Sequence, residues 1–386
     1  MSAPMPSNVV TLLQRLIRIP SVNPDCNPKG DGEAAMADCV AEFLEGIGFS
    51  VIQDEVLPGR PNVIGRCPHT GSEPDGRPRI LLCPHLDTVS VDGMDLDSFG
   101  TISEDGRILG RGASDTKGPM AAMLQALANT REILAELPVA VDFTGFMGEE
   151  ASQHGSKHFA KHHGPEYTFA IAGEPTSLDI VNVTKGSLWA TLSAKGKAAH
   201  ASQPEAGENA ILKLARALID FDEKITTQLT TYSHPSLGSS TINIGVIDGG
   251  KQPNIVPDSA SAQIDIRTTP SLHDEIGAKA LVEKIIVDQK LPIKLVNPHE
   301  NPPMEVENDN PWIKQLQDAN PSSKAVGAPW FSDAGHLNAA GIPAVCIGPG
   351  SIDQAHTKDE FISIKDLEDG VDYFERFIRS LSKNPS

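Results

Sequence analysis

Residues 79–87 read RILLCPHLD. The apolar run Arg79–Cys83 predicts a strand, and an imidazole and a carboxylate follow it at once, at His85 and Asp87. Moving towards the amino terminus, strands are predicted near Val63 and Val51, with the Pro/Gly turn Pro58–Pro61 between them. Before them a helix covers about Glu33–Glu45 and stops at the Gly46/Gly48 pair. Val9, Leu12, Leu13 and Leu16 recur at helical spacing and end at Pro20, which marks a first amphipathic helix. Moving the other way, Met120, Met123, Leu124 and Leu127 mark a helix and Val139–Phe146 a strand. Strands alternating with helices predict an α/β layered sheet with its site at the strand ends.

The middle of the chain has another rhythm. Leu188–Ala194 alternates as a strand does, and Ile211, Leu214, Ala215 and Leu218 form a helix face. Strands follow at Thr241–Val246 and Ala260–Ile266, then a helix at about Asp274–Val287 and a strand at Ile293–Val296. The order β-α-β-β-α-β is that of a ferredoxin-like module. The Pro/Asn-rich stretch Asn297–Pro303 reads as a connection. The first pattern then resumes with Ala344–Ile347 and a last helix carrying Leu367, Val371, Phe374, Ile378 and Leu381. The expected division is 1–183 and 298–386 as one discontinuous domain, with 184–297 inserted into it; 386 residues suit two domains.

Composition narrows the function. With 32 Lys and Arg against 51 Asp and Glu the net charge is −19, which lacks the basic footprint of a nucleic-acid binder. Five scattered cysteines without a Cys-x-x-Cys pair fit a reducing compartment better than a disulfide framework. The start MSAPMPSNVV has no signal-peptide pattern, and no apolar stretch nears the roughly 20 residues a bilayer requires. A cytoplasmic protein with no membrane partner is expected.

Five segments place acidic or imidazole groups just after predicted strands or glycine turns. In Pro84-His-Leu-Asp87, residues two apart point the same way in an extended chain, so His85 and Asp87 can face one pocket; alternatively Asp87 orients the imidazole. In Gly110-Arg-Gly-Ala-Ser-Asp115-Thr-Lys-Gly118, Asp115 either meets an ion or caps the helix that follows. Gly148-Glu149-Glu150 is either a solvated acidic turn or a pair in which a cation relieves one carboxylate and the other moves protons. Glu174 in Gly173-Glu-Pro-Thr176, which reads equally well as a turn residue, and His356 in Gln354–Glu360 complete the set. Two histidines with several carboxylates and no cysteine suit Zn, Mn or Co. His154, His158 and His162 also fall at i, i+4, i+8, a zinc-compatible spacing that an exposed polar helix face explains as well.

The collinear order His-x-Asp, Gly-x-Gly-x-x-Asp-x-Lys-Gly, Gly-Glu-Glu, Glu-Pro-Thr and a carboxy-terminal His resembles the metallopeptidase superfamily of acetylornithine deacetylase, succinyl-diaminopimelate desuccinylase, aminoacylase and glutamate carboxypeptidase. The resemblance runs from the first helix to the last. It implies a zinc-exopeptidase-like layered catalytic domain with an inserted ferredoxin-like dimerisation domain, hence a homodimer. It implies two divalent ions, Zn first and Co or Mn next, bridged by Asp115, with His85 and Glu174 on one and Glu150 and His356 on the other. Asp87 would orient His85, and Glu149 would be the general base towards a metal-activated water. Three further matches lie in the inserted module. Gly196-Lys-Ala-Ala-His200-Ala-Ser202 resembles the segment whose histidine stabilises the oxyanion, often from the partner subunit. Asn254, in Gly249-Gly250…Asn254-Ile-Val-Pro257, would read the substrate, and Arg267, in Asp265-Ile-Arg267, would grip its carboxylate through the planar guanidinium fork. Ser332-Asp333-Ala334 and Gly348–His356 resemble acetylornithine-deacetylase-like members most. The implied activity is hydrolysis of the amide bond of a small N-acyl amino acid. The alternatives are a carboxypeptidase or dipeptidase on short peptides, and a non-catalytic dimeric binding protein of the same fold.

Overall fold

The computed structural model describes residues 8–70, 75–94, 98–102 and 105–382; residues 1–7 of the stretch scanned for a signal peptide lie outside these. The chain forms two compact units. The larger comprises Met1–Asn182, Val306–Val326 and Ser332–Ser386, and the smaller comprises Val183–Glu305 and Gly327–Phe331.

The larger unit is built on a sheet in which seven strands run in the order Ser50–Leu57, Arg60–Arg66, Ala140–Gly145, Arg79–Cys83, Tyr167–Ala172, Ala344–Cys346 and Ile180–Thr184. The four from Ala140–Gly145 to Ala344–Cys346 are parallel. The outer pair is an antiparallel hairpin closed by Pro58 and by Gly59, whose φ of +71° suits a residue without Cβ. Side chains alternate across a sheet, so Ile80, Leu82, Phe169 and Ile171 enter one core with the helices Val9–Ile17, Ala34–Gly46, Lys117–Asn129 and Ile364–Ser380. Leu81, Ala170 and Ala344 are buried on the other face, where His154–His162 packs on Ala334–Ala339, which in turn packs on Tyr167–Ala172 and Ala344–Cys346. Both faces are covered, as a parallel sheet requires.

The smaller unit is a four-stranded antiparallel sheet in the order Thr241–Gly249, Ser259–Thr268, Gly186–Lys195, Lys294–Asn301. Leu188, Ala190, Leu192, Ile264 and Ile266 point into a core with Leu214, Leu218 and Phe221 of Ala210–Leu229 and Leu281, Val282 and Ile285 of Ala278–Asp288. The β-α-β-β-α-β order is the expected one, and the α/β fold with a second, smaller sheet domain is as the sequence predicts.

Three local expectations need correction. The stretch taken as a connection, Asn297–Pro303, is strand as far as Asn301. A bulge between Val296 and His299, with Asn297 at φ +51°, absorbs the extra residue and accommodates Pro298, which has no N–H to give the ladder. The helix expected over Asp274–Val287 is two, Pro270–Glu275 and Ala278–Asp288, because Gly277 turns the chain at φ +77°. Ile211 is not on the core face of its helix but 38% exposed; Ala217, Phe221 and Ile225 carry that face onward from Leu214.

Among the described residues, no helix is long and apolar enough to cross a membrane.

Candidate active site

The parallel strands deliver the site. His85 follows Arg79–Cys83, Glu149 and Glu150 follow Ala140–Gly145, Glu174 follows Tyr167–Ala172, and the loop bearing His356 follows Ala344–Cys346. All lie beyond the carboxyl ends of strands, where open α/β sheets hold ligands. Asp115 ends the glycine loop just before the helix Lys117–Asn129. It does not cap that helix: Thr116 is the cap residue, and no side chain closes the helix start. The Asp115 carboxylate lies between two imidazoles instead, with His85 Nε2 at 3.1 Å and His356 Nε2 at 3.4 Å. His356 Nε2 is also 2.9 Å from Glu150 Oε2. Ligand atoms of His85, Asp115 and Glu150 all fall within 4.8 Å of one another. Glu174 is 6% exposed, which rules out a solvated turn residue, and its charge is felt by Glu149 and by Cys83.

Asp87 is fully buried and ties several neighbours together. Its backbone carbonyl is 3.0 Å from His85 Nδ1 and its Oδ1 is 3.4 Å from the same nitrogen. A carbonyl can only accept, so Nδ1 carries the hydrogen and Nε2 is the atom turned to Asp115. The Asp87 carboxylate also accepts from the backbone N–H of Glu149 at 3.0 Å and of Glu150 at 3.1 Å, which fixes the acidic turn against the His85 segment.

The electrostatics are those of too many anions in one dry place. Burial, reinforced by the Glu174 charge, raises Glu149 well above the ordinary carboxylate range. Burial and the Asp115 charge push Glu150 up to about 7, and burial with Asp87 nearby pushes Asp333 up to about 7. Hydrogen bonds to Asp115 and Glu150 lift His356 to about 10. Burial opposes charge on Asp115, but contacts with His356 and His85 hold its carboxyl well below the usual range. The Glu150 Oε1 and Asp333 Oδ2 atoms are buried with no hydrogen-bond partner. A divalent cation satisfies this set: two imidazoles, several carboxylates, an orphaned carboxylate oxygen and no thiolate among the clustered donors. The residues fit a metal, and His85, Asp115 and Glu150 would hold it.

His200, Asn254 and Arg267 belong to the smaller unit. The strand Ala199–His200 pairs with Ile255–Val256, and the Asn254 carbonyl accepts from the Ala201 N–H at 3.0 Å, so His200 and Asn254 are neighbours. The exposed His200 ring has Nδ1 2.7 Å from Ser202 Oγ. Arg267 is half-buried and donates to Asp265 Oδ2 through Nε at 3.2 Å and Nη2 at 3.0 Å. Of the spaced histidines, the His158 and His162 rings pack with centroids 4.2 Å apart, but their nitrogens turn to protein acceptors and not to a common point. His158 Nε2 turns to Asp54 at 3.1 Å, while His162 Nδ1 is 2.9 Å from the carbonyl of His158.

Several residues around the cluster carry no signal at the spacings used to find it. Asn23, fully buried, donates through Nδ2 to Asp87 at 2.8 Å, and its Oδ1 accepts from Arg60 Nη2 at 3.0 Å. Glu360 and Arg111 close under the Asp115 loop at 2.7 Å. Glu360 lies inside the His356 segment, where its position four residues after an imidazole was the one available cue.

A mixed α/β sheet whose parallel strands present a carboxylate–histidine cluster able to hold a divalent cation fits the class of metal-dependent hydrolases. Residues 81–380 match the peptidase family M20/M25/M40, and the chain belongs to that family. It is 30% identical over 400 residues to a probable carboxypeptidase of Talaromyces marneffei, covering 97% of this chain and 86% of that protein. It is 29% identical over 389 residues to the acetylornithine deacetylase of Vibrio cholerae, covering 97% of this chain and 98% of that protein. An M20 family metallo-carboxypeptidase from Sulfolobus solfataricus has the same fold, with a TM-score of 0.79 at 20% identity over 98% of this chain and 100% of that one.

Proposed function

We propose that the protein is a two-metal hydrolase that cleaves the amide bond of a small N-acyl amino acid. The observation that carries this reading is the meeting of His85, Asp115 and Glu150 within 4.8 Å, with His356 on Asp115 and Glu150 and with Glu149 and Glu174 alongside. In it Asp115 would serve both ions, His85 and Glu174 would complete one site, and Glu150 and His356 would complete the other. Zn is the expected ion, with Co or Mn also suited to nitrogen and oxygen donors. Bound there, divalent ions supply Lewis-acid polarisation of a carbonyl and a water of lowered pKa.

The protein's own residues supply the proton traffic. Glu149 lies among anions that favour its protonated form, so a cation nearby returns it to the ionised form a base needs. It takes a proton from the attacking water and passes it to the leaving nitrogen as the C–N bond breaks. Asp87 keeps the His85 ring in the tautomer that presents Nε2. His200 as oxyanion stabiliser, Asn254 as substrate reader and Arg267 as carboxylate grip rest on the family resemblance. So does the homodimer through the smaller unit, whereas a cytoplasmic location rests on the five scattered cysteines without a Cys-x-x-Cys pair.

The relative named acetylornithine deacetylase supports a deacylase, with N-acetylornithine the first substrate to try. The probable carboxypeptidase, at 30% identity, supports a second reading in which short peptides are cleaved. Hydrolysis of N-acetylornithine, succinyl-diaminopimelate and a dipeptide panel by the zinc-loaded protein separates the two. Glu149→Ala is expected to keep its metal and lose at least about 100-fold in kcat. Wild-type turnover in that variant removes Glu149 from the role. Metal binding without hydrolysis of any amide leaves the non-catalytic binding protein.

A further inference from the structure

Glu360 has no part in the reaction outlined above, yet it is the most heavily used carboxylate beside the site. It is fully buried. Its Oε1 accepts from the N–H groups of Ser114 at 2.8 Å and Asp115 at 2.9 Å. Its Oε2 accepts from the N–H of Gly112 at 3.0 Å and from Arg111 Nη1 at 2.7 Å. Converging backbone N–H groups form a nest that attracts an anion, and Glu360 fills this one from a segment about 245 residues further on.

The nest is built in by the backbone. Gly112 sits at φ +83°, and a Cβ there would come within 2.9 Å of the Lys117 side chain. Beyond the nest, the Glu360 carbonyl accepts from the Gly110 N–H at 3.0 Å, and the strand Phe361–Ser363 pairs with Arg107–Leu109. The loop is thus held at its entrance by the ladder and at its exit by the carboxylate. Its exit residue is Asp115, set between two imidazoles.

We propose that Glu360 is a positioning residue that fixes Asp115, and with it the distance between the two metal sites. A carboxylate suits the task because both its oxygens only accept, and the nest offers only donors. The same few residues carry His356 to Glu150 and Glu360 to the loop, so one segment sets donors on both sides of the cluster. The proposal rests on Asp115 being a metal ligand, as in the function proposed above.

The test uses the full chain with Glu360→Gln, whose amide turns an N–H2 towards one pair of donors, and Glu360→Asp, which keeps the charge on a shorter arm. Zn2+ affinity by chelator competition is expected to fall about tenfold or more in Glu360→Gln and less in Glu360→Asp. In metal-free protein, amide hydrogen exchange at Ser114 and Asp115 is expected to quicken about tenfold in Glu360→Gln. With any amide that the wild type hydrolyses, kcat falls while KM stays within about twofold. Phe221→Leu, a core change in the smaller unit, is the control for lost stability alone and is expected to leave Zn2+ affinity unchanged. Wild-type Zn2+ affinity in Glu360→Gln overturns the proposal, as does unchanged exchange at the two amides. If Glu360→Gln does not fold, Glu360→Asp decides by the same two measurements. A wild-type chain that binds no Zn2+ removes the metal assignment, whereas the exchange of Ser114 and Asp115 still decides whether Glu360 holds the loop.

Discussion

Asn23 shows how far the site extends beyond the groups that would touch an ion. Its amide donates to the Asp87 carboxylate, and its carbonyl oxygen accepts from Arg60, whose Nε and Nη1 donate in turn to Glu33 at 2.8 Å and Asp25 at 3.0 Å. Asp87 needs these donors because it is buried among other acids and already serves the Glu149 and Glu150 amides. Removing one donor from a buried carboxylate costs about 1–3 kcal/mol. Asn23→Ala is therefore expected to lower the melting temperature and to reduce kcat about tenfold with KM nearly unchanged. Asn23→Asp is expected to do worse, since it sets a second carboxylate against Asp87. Melting curves and steady-state kinetics check the order; an Asn23→Asp protein as active as Asn23→Ala would show that Asp87 does not depend on this amide. Nothing near Asn23 in the sequence betrays the role, because its partner is 64 residues away.

At the scale of elements, the entry to the strand Arg79–Cys83 is tied down by a charged brace. Arg77 donates to Asp75 through Nε and Nη2, both at 2.9 Å, and reaches the carbonyls of Leu134 at 2.8 Å and Leu137 at 3.0 Å. Hydrogen bonds from Arg77 hold the Asp75 carboxyl down at about 2, below its ordinary 3.8. A carboxyl with a lowered folded-state pKa stabilises the fold above its unfolded pKa, and that contribution is lost as the pH falls through the folded value. Asp75→Asn is thus expected to cost about 1 kcal/mol, or about 2 °C in melting temperature, at pH 6. The difference should shrink at pH 3 and approach zero only below the folded pKa of about 2; a deficit that does not change with pH would rule out the charge as its source. Element types were legible here because a buried strand and an amphipathic helix each impose a short period on the chain. The break at Gly277 and the bulge at Asn297 were not, since a single residue can leave a regular backbone without disturbing the pattern on either side.

For the whole molecule, the exposed apolar side chains are unevenly shared between the two units. Among the described residues, eight of the ten exposed large hydrophobic side chains lie in the smaller unit, including Leu212 at 52%, Ile219 at 70% and Ile247 at 62%. A dimer formed through the smaller unit, as proposed above, would cover some of them. The homodimer expected from the family resemblance should therefore yield to Ile219→Asp combined with Ile247→Asp, giving a monomer by light scattering; a wild-type protein already at monomer mass refutes the dimer. The sequence by itself determined the alternation of elements, the nested module and the list of groups able to hold a cation, because periodicity and short motifs are properties of neighbouring residues. Tertiary structure alone decided that Asp115 faces two imidazoles instead of capping a helix, and that Glu150 leaves an oxygen without a partner. It alone placed Asn23 and Glu360 behind the cluster. Such contacts join segments 30 to 249 residues apart, and their existence depends on strand order and on how the loops beyond the strand ends meet, which no local stretch of chain encodes.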